Sequence, residues 1–294
     1  MISYMTIPIE DADVLMHLNN ISNIWYKNSA KEFKNLYHNW ITSSNNSLIL
    51  GLDKFDSSLT DGVTGAFYNF NHAFSNFSTV VFKGEYPFHI STGASMLNSV
   101  EDLQYGQKLI ISYPYAAHGE VHYNFEDILS KCDLLNIPVL IDMAFFGCAK
   151  IASINVDRPC IKMIAFSLSK TFATGKCKIG ICYHKTVEST PMQVINSYEY
   201  VNHVSINIHS TLLSKFNSDY IYDKYKDRQQ LIANTLGVNA SSTVFLCHTQ
   251  DIKWKKFARN NIVNRLGIAK LLQVENLTSD AILNAELIEN PWTN

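Results

Sequence analysis

From about residue 45 to 185 the chain alternates between two kinds of pattern, and this restricts the fold more than any other feature. "STVVFKG" (78–84), "KLIISYP" (108–114), "IPVLID" (137–142), "CIKMIAFSLS" (160–169) and "KIGICYHK" (178–185) are short, β-branched and mostly apolar. Strands covered on both faces read this way. Between them lie helical patterns. In "GAFYNFNHAFSNF", Ala66, Phe67, Phe70, Ala73, Phe74 and Phe77 recur at helical spacing, and in "NFEDILSKCDLLN" so do Phe125, Ile128, Leu129, Cys132 and Leu135. Both stripes are read as core packing, with Asn124 as a cap for the second. Strands alternating with helices predict an α/β layer with a mainly parallel sheet.

After residue 190 the character changes. "TPMQVINSYEYVNHVSINIHSTLLSKF" and "DYIYDKYKDRQQLIANTLGV" read as helices, the second long and charged enough to bridge to another unit. "STVFLCH" (242–248) and "IVNRLGIAKLL" (262–272) read as a small sheet with a closing helix. The first 40 residues, rich in Trp, Tyr and Asn, are expected to pack with the C-terminal part. The chain's 294 residues suffice for a large domain and a smaller companion. The expected division is a large domain at 45–220 and a small one from 1–44 and 221–294.

Composition excludes several partners. A net charge of -2 gives no footprint for nucleic acid or an anionic membrane. No run approaches the roughly 20 apolar residues of a bilayer span. Glu10, Asp11 and Asp13 stand where a signal peptide needs an apolar core. The 6 cysteines form no C-x-x-C pair and are expected to be reduced, as in a cytoplasmic protein.

Ligands of parallel α/β sheets bind beyond the carboxyl ends of the strands. Three features fall there. Asp142 ends "IPVLID", Lys170 follows "IAFSLS", and "GVTGA" (62–66) lies directly before the Phe-rich helix, where backbone N–H groups and the helix dipole favour an anion. A phosphate seat, a carboxylate and an amine on one rim suit a phosphorylated aldehyde cofactor. Competing motifs are incomplete. Ser167-x-x-Lys170 lacks the K-T-G partner of the penicillin-recognising serine enzymes, the chain offering only "KTF" and "KTV". "HGEVH" (118–122) carries the H-x-E of a zinc deaminase, yet Met163 stands where Pro159-Cys160 requires a second cysteine. His118, Glu120 and His122 gain no third metal ligand from spacing.

The order "GVTGA", "GEYPFH", "YPYAAHG", "VLIDMAFFG", "FSLSKTFATGKCKIG", "NRLGIA" resembles the pyridoxal-phosphate-dependent aminotransferases of fold type I, over roughly residues 55 to 270. The resemblance implies a three-layer α/β/α large domain, a small α+β domain and a homodimer. It implies Lys170 as the Schiff-base lysine that later shuttles a proton, and Asp142 as partner of the pyridine nitrogen. Val63, Thr64 and Ser167 would bind the phosphate, Tyr86 would stack on the ring, and Arg265 would grip the substrate α-carboxylate. Three positions depart from the family. Lys178 replaces an arginine at the phosphate, Phe145 replaces a tyrosine and Ala116 an asparagine that bond the cofactor's 3′-oxygen, with His118 or Tyr115 as substitutes for the lost donors. The implied reaction moves an amino group between an amino acid and a 2-oxo acid. A lyase, decarboxylase or racemase reaction on the same cofactor, and a catalytically idle binding relative, stay open.

Overall fold

Seven strands of the alternating region join in one sheet in the computed structural model, which describes residues 1–3, 7–19, 29–185 and 190–288. The Trp/Tyr/Asn-rich residues 20–28 and most of "KTV" lie outside the described residues. Across the sheet the strands run Asp56–Thr60, Gly180–His184, Ile161–Ser167, Val139–Met143, Gln107–Ser112, Ser78–Phe82 and Ser95–Leu97. Neighbours from Ile161–Ser167 to Ser95–Leu97 pair in parallel, whereas Gly180–His184 is antiparallel to both of its partners. Every residue of Val139–Met143 is buried, as a central strand covered on both faces requires.

Asp56–Thr60 has the sequence DSSLT and no apolar run. As an edge strand it bonds on one side only, so nothing in its sequence marks it out.

The helix Gly62–Ala73 covers one sheet face. Its buried Ala66, Phe67 and Phe70 share a core cluster with Ile110, Leu140, Met163, Ala165 and Cys182. Each phenylalanine removed from water there contributes roughly 1.5–3 kcal/mol. "GVTGA", expected to precede this helix, forms its first turn instead. The helix Phe125–Leu135 follows its predicted stripe, with Phe125, Ile128, Leu129 and Cys132 buried. Asn124 occupies its cap position but makes no side-chain capping bond, and its N–H donates to His122 Nδ1 at 3.1 Å.

A second sheet joins the two ends of the chain. Ile2–Ser3 pairs antiparallel with Val263–Gly267 and parallel with Leu287–Ile288, and Leu246–Thr249 pairs with the other edge of Val263–Gly267. The expected packing of the N-terminus on the C-terminal part holds for this strand. Of the predicted strand 242–248 only the last three residues belong to the observed strand, which runs Leu246–Thr249. The residues before it turn, because the carbonyls of Ser241, Thr243 and Leu246 accept bonds from Gln229 Nε2 on the helix Tyr220–Leu236. That helix also holds buried Asp11, which accepts from the Tyr225 hydroxyl at 2.7 Å and pairs with Lys224.

Candidate active site

The register of the large sheet sets out the site in rows. Ser112, Asp142, Ala165, Cys182 and Ser58 stand directly opposite one another across successive strands. Their side chains therefore share one face, the face covered by Gly62–Ala73. Two residues nearer the rim, Ser167, Gly180 and Thr60 form the next row on that face.

Gly180 lets the helix reach this rim. A Cβ there would lie 2.4 Å from the Phe166 carbonyl oxygen and 3.0 Å from the Cα of Gly62. Gly62, at φ +64°, approaches Ser167 and Lys178: the position of its missing Cβ is 3.4 Å from Ser167 Oγ and 3.9 Å from Lys178 Cβ. Asp61 at the cap makes no side-chain bond to the helix, so the N–H groups opening the turn that contains Val63 and Thr64 face the rim uncapped by it. Thr60 Oγ1 is buried with no hydrogen-bond partner among the described residues. This cradle of donors, a hydroxyl and a cation fits an anion such as a phosphate.

Lys170 lies in the turn beyond Ile161–Ser167 and is half-buried. Burial lowers its amine below the ordinary lysine range; the cationic Arg265 and Lys178 push the same way, and Cys148 and Asp142 oppose. The turn is fixed from behind, since Thr171 donates to the Phe146 carbonyl at 2.8 Å and Thr174 Oγ1 bonds His209 Nε2 at 2.8 Å.

Asp142 is buried and its carboxyl is pushed up to about 7, first by burial and further by nearby Glu85. The Ala144 N–H, which donates to it at 2.8 Å, and Lys170 work in the other direction. Glu85 was not singled out in the sequence, where "GEYPFH" drew notice only for Tyr86. It is buried in the turn after Ser78–Phe82, and burial raises its carboxyl above the ordinary glutamate range. Tyr86 remains on the rim at 47% exposure, its ring stacked on Phe88 with centroids 5.8 Å apart.

Arg265 reaches the same region from the second sheet. Its guanidinium donates through Nη1 to the Ala116 carbonyl at 2.5 Å, and it acts electrostatically on Lys170. Phe145 is buried and meets Phe245 edge-on at 5.3 Å, so no hydroxyl replaces the tyrosine of the family pattern. Tyr115 is no substitute, because its hydroxyl donates to the Lys83 carbonyl at 2.6 Å. His118 accepts the Glu120 N–H on Nδ1 and packs 6.0 Å from His248. Burial, with His248 beside it, brings its imidazole down to about 4.

The competing motifs lose their context. Ser167 ends a strand rather than starting a helix, and its Oγ pairs with Ser169 Oγ at 2.6 Å. Among the described residues no group of three or more His, Cys, Asp or Glu could hold a metal ion, and no helix is long and apolar enough to cross a membrane. A groove of about 560 Å³ opens between Gly62–Ala73 and Pro191–Ser197, lined by Tyr68, Met192, Ile195 and Tyr200; it meets the rim only at Thr60, Asp61, Gly65 and Lys178.

No family model and no curated protein matches the sequence. Solved structures do match. An aspartate aminotransferase variant from Thermus thermophilus aligns with a TM-score of 0.64 at 11% identity, over 95% of this chain and 92% of that one. The L-threonine-O-3-phosphate decarboxylase from Porphyromonas gingivalis aligns at 0.61 and 13% identity, over 90% and 92%. A C-S lyase from Staphylococcus hominis, solved with bound pyridoxal phosphate and L-cycloserine, aligns at 0.59 and 12% identity, over 88% and 81%. The chain has the fold of the pyridoxal-phosphate-dependent fold type I enzymes. That fold is a three-layer α/β/α arrangement. Similarity at these identities concerns the fold and leaves the reaction to the residues of the site.

Proposed function

We propose that the chain is a pyridoxal-phosphate-dependent aminotransferase, moving an amino group between an amino acid and a 2-oxo acid. One observation carries the reading: an uncapped helix start with Ser167 and Lys178, a buried carboxylate at Asp142 and a half-buried amine at Lys170 converge on a single sheet edge. When bound, the cofactor supplies an electrophilic aldehyde and a ring that withdraws electrons from the substrate Cα.

The chain's own residues then have separate tasks. The backbone N–H groups of Val63 and Thr64, the Ser167 hydroxyl and the Lys178 ammonium hold the phosphate. Lys178 supplies charge without the fork geometry of an arginine. Asp142 holds the proton of the ring nitrogen; a carboxylate raised by burial gains most from such a cationic neighbour. Tyr86 would cover one ring face. Lys170 would hold the aldehyde through its amine and, when free, would move a proton between the substrate Cα and the cofactor carbon C4′. Its lowered proton affinity enlarges the free-base fraction near neutral pH. Arg265, anchored on the Ala116 carbonyl, orients the substrate α-carboxylate. Retention of that carboxylate favours amino transfer over decarboxylation.

The same reading divides the chain into a large unit at 45–220 and a small unit from 1–44 and 221–294, supported by the two larger sheets, which fall on either side of that division. It includes a homodimer, supported by the exposed aromatics Tyr68, Tyr198 and Tyr200 beside the groove. The six free cysteines suit a reducing, cytoplasmic setting.

A second reading rests on Phe145 and Tyr115. With Phe145 and Ala116 standing where the family pattern has its two donors, and the Tyr115 hydroxyl engaged elsewhere, the cofactor's 3′-oxygen lacks both expected hydrogen bonds, which favours a lyase or racemase reaction on the same site. The test is to mix the purified protein with pyridoxal phosphate and record its visible absorbance. Amino acids are then added singly. Loss of the band with release of pyridoxamine phosphate supports amino transfer, and turnover without it supports the second reading. A protein that stays colourless, and is unaltered by Lys170→Ala, refutes both.

A further inference from the structure

Glu85 stands apart from every role assigned above. It lies in the turn that follows Ser78–Phe82, a strand two places from that of Asp142, and is 3% exposed. Three donors converge on its carboxylate. The Ser112 N–H donates to Oε1 at 2.7 Å, the Ser112 hydroxyl to Oε2 at 2.7 Å, and the Tyr86 N–H to Oε2 at 3.2 Å. Arg259 braces the same loop from the second sheet, donating to the carbonyls of Gly84 at 3.2 Å and Glu85 at 2.9 Å. Each of these three bonds favours the charged form of Glu85, against the burial that raises it.

Ser112 connects this group to the site. It is directly opposite Asp142 in the parallel ladder, so the two side chains lie side by side on the face that carries the rim. The order across that face is Glu85, Ser112, Asp142, with Lys170 beyond. The other charged or titratable groups acting on this set are Arg259 and Tyr115 near Glu85, and Arg265, Lys178 and Cys148 near Lys170. The Asp142 carboxyl is pushed upward in part by Glu85, in agreement with the geometry.

We propose that Glu85 is a positioning residue of the cofactor site, a second buried anion that acts through Ser112 and Asp142 to keep a proton between Asp142 and the ring nitrogen. The inference rests on the cofactor reading. Its physical basis is that a like charge beside Asp142 makes release of the shared proton costlier. The effect matters most in this chain, where Phe145 gives the 3′-oxygen no donor and the ring depends more heavily on its protonated nitrogen.

The test separates the two claims. Binding of pyridoxal phosphate, read by absorbance, tests the cofactor reading. Glu85 is tested on the cofactor-free protein, by carbon-13 NMR of labelled Asp and Glu carboxyls between pH 4 and 9, with Asp142→Asn assigning the Asp142 signal. In Glu85→Gln the Asp142 midpoint falls by about one pH unit, and in Glu85→Asp it returns toward the wild-type value. In the wild type, the Asp142 signal also carries an inflection at the Glu85 midpoint, a readout that does not depend on any Glu85 variant folding. An unchanged midpoint in a folded Glu85→Gln protein, or a single-step wild-type Asp142 curve, overturns the inference even where the cofactor binds. A colourless mixture overturns the cofactor reading and with it the functional role of the pair.

Discussion

Replacing Asp142 by asparagine should make the cofactor-free protein more stable, although the residue lies at the centre of the site. The carboxyl is pushed up to about 7 in the folded chain, against the ordinary aspartate value of about 3.9. A carboxyl raised by folding stabilises the native state only while it is protonated. That contribution is complete below the unfolded value and declines as pH rises toward 7, because the native state then binds the extra proton. About three pH units at about 1.4 kcal/mol each make a loss of about 4 kcal/mol by pH 8. Asparagine cannot ionise and escapes this loss. Its Oδ1 can still accept the Ala144 N–H, but its buried NH₂ lacks an evident partner and costs about 1–2 kcal/mol. The net gain at pH 8 is about 2–3 kcal/mol, with a small net loss at pH 4. For 294 residues the unfolding entropy is roughly 0.6 kcal/mol/K, so the melting temperature should rise by about 4 °C at pH 8. Calorimetry of the cofactor-free wild type and Asp142→Asn at both pH values measures this. A variant less stable than wild type by equal amounts at pH 4 and pH 8 would refute the assignment of Asp142 as a strained, ionised carboxylate.

Gly180→Ala puts a methyl 2.4 Å from the Phe166 carbonyl, a backbone atom that cannot yield. It should cost about 3 kcal/mol and weaken pyridoxal phosphate binding by separating the Gly62 turn from Ser167; an unchanged melting temperature and unchanged affinity would contradict the cradle. Arg265→Lys keeps the charge but loses the fork, so KM for the amino acid should rise roughly a hundredfold, about 2–3 kcal/mol, with the cofactor absorbance intact. Loss of that absorbance would instead make Arg265 part of the cofactor seat.

The α/β class and the chain positions of the central strands were legible because buried parallel strands are continuous apolar runs and the helices between them carry a single stripe. Lys170, Asp142 and the Gly62 turn were legible for a related reason: each is a polar residue ending or following such a run, and a parallel sheet brings those ends to one edge. The strand Asp56–Thr60 was not, because an edge strand bonds on one side and needs no apolar signature. Nor was Glu85, whose carboxylate is buried against Ser112, a hydrogen-bonded contact 27 residues away in sequence. In the sequence Tyr115 is a candidate substitute donor; packing commits its hydroxyl to the Lys83 carbonyl. Local pattern determined which elements form and where their chemistry-bearing ends fall. The fate of each polar group, whether charged, shared or spent on a backbone carbonyl, was decided by contacts distant in sequence, because desolvation and hydrogen bonding depend on what folding places within a few ångströms.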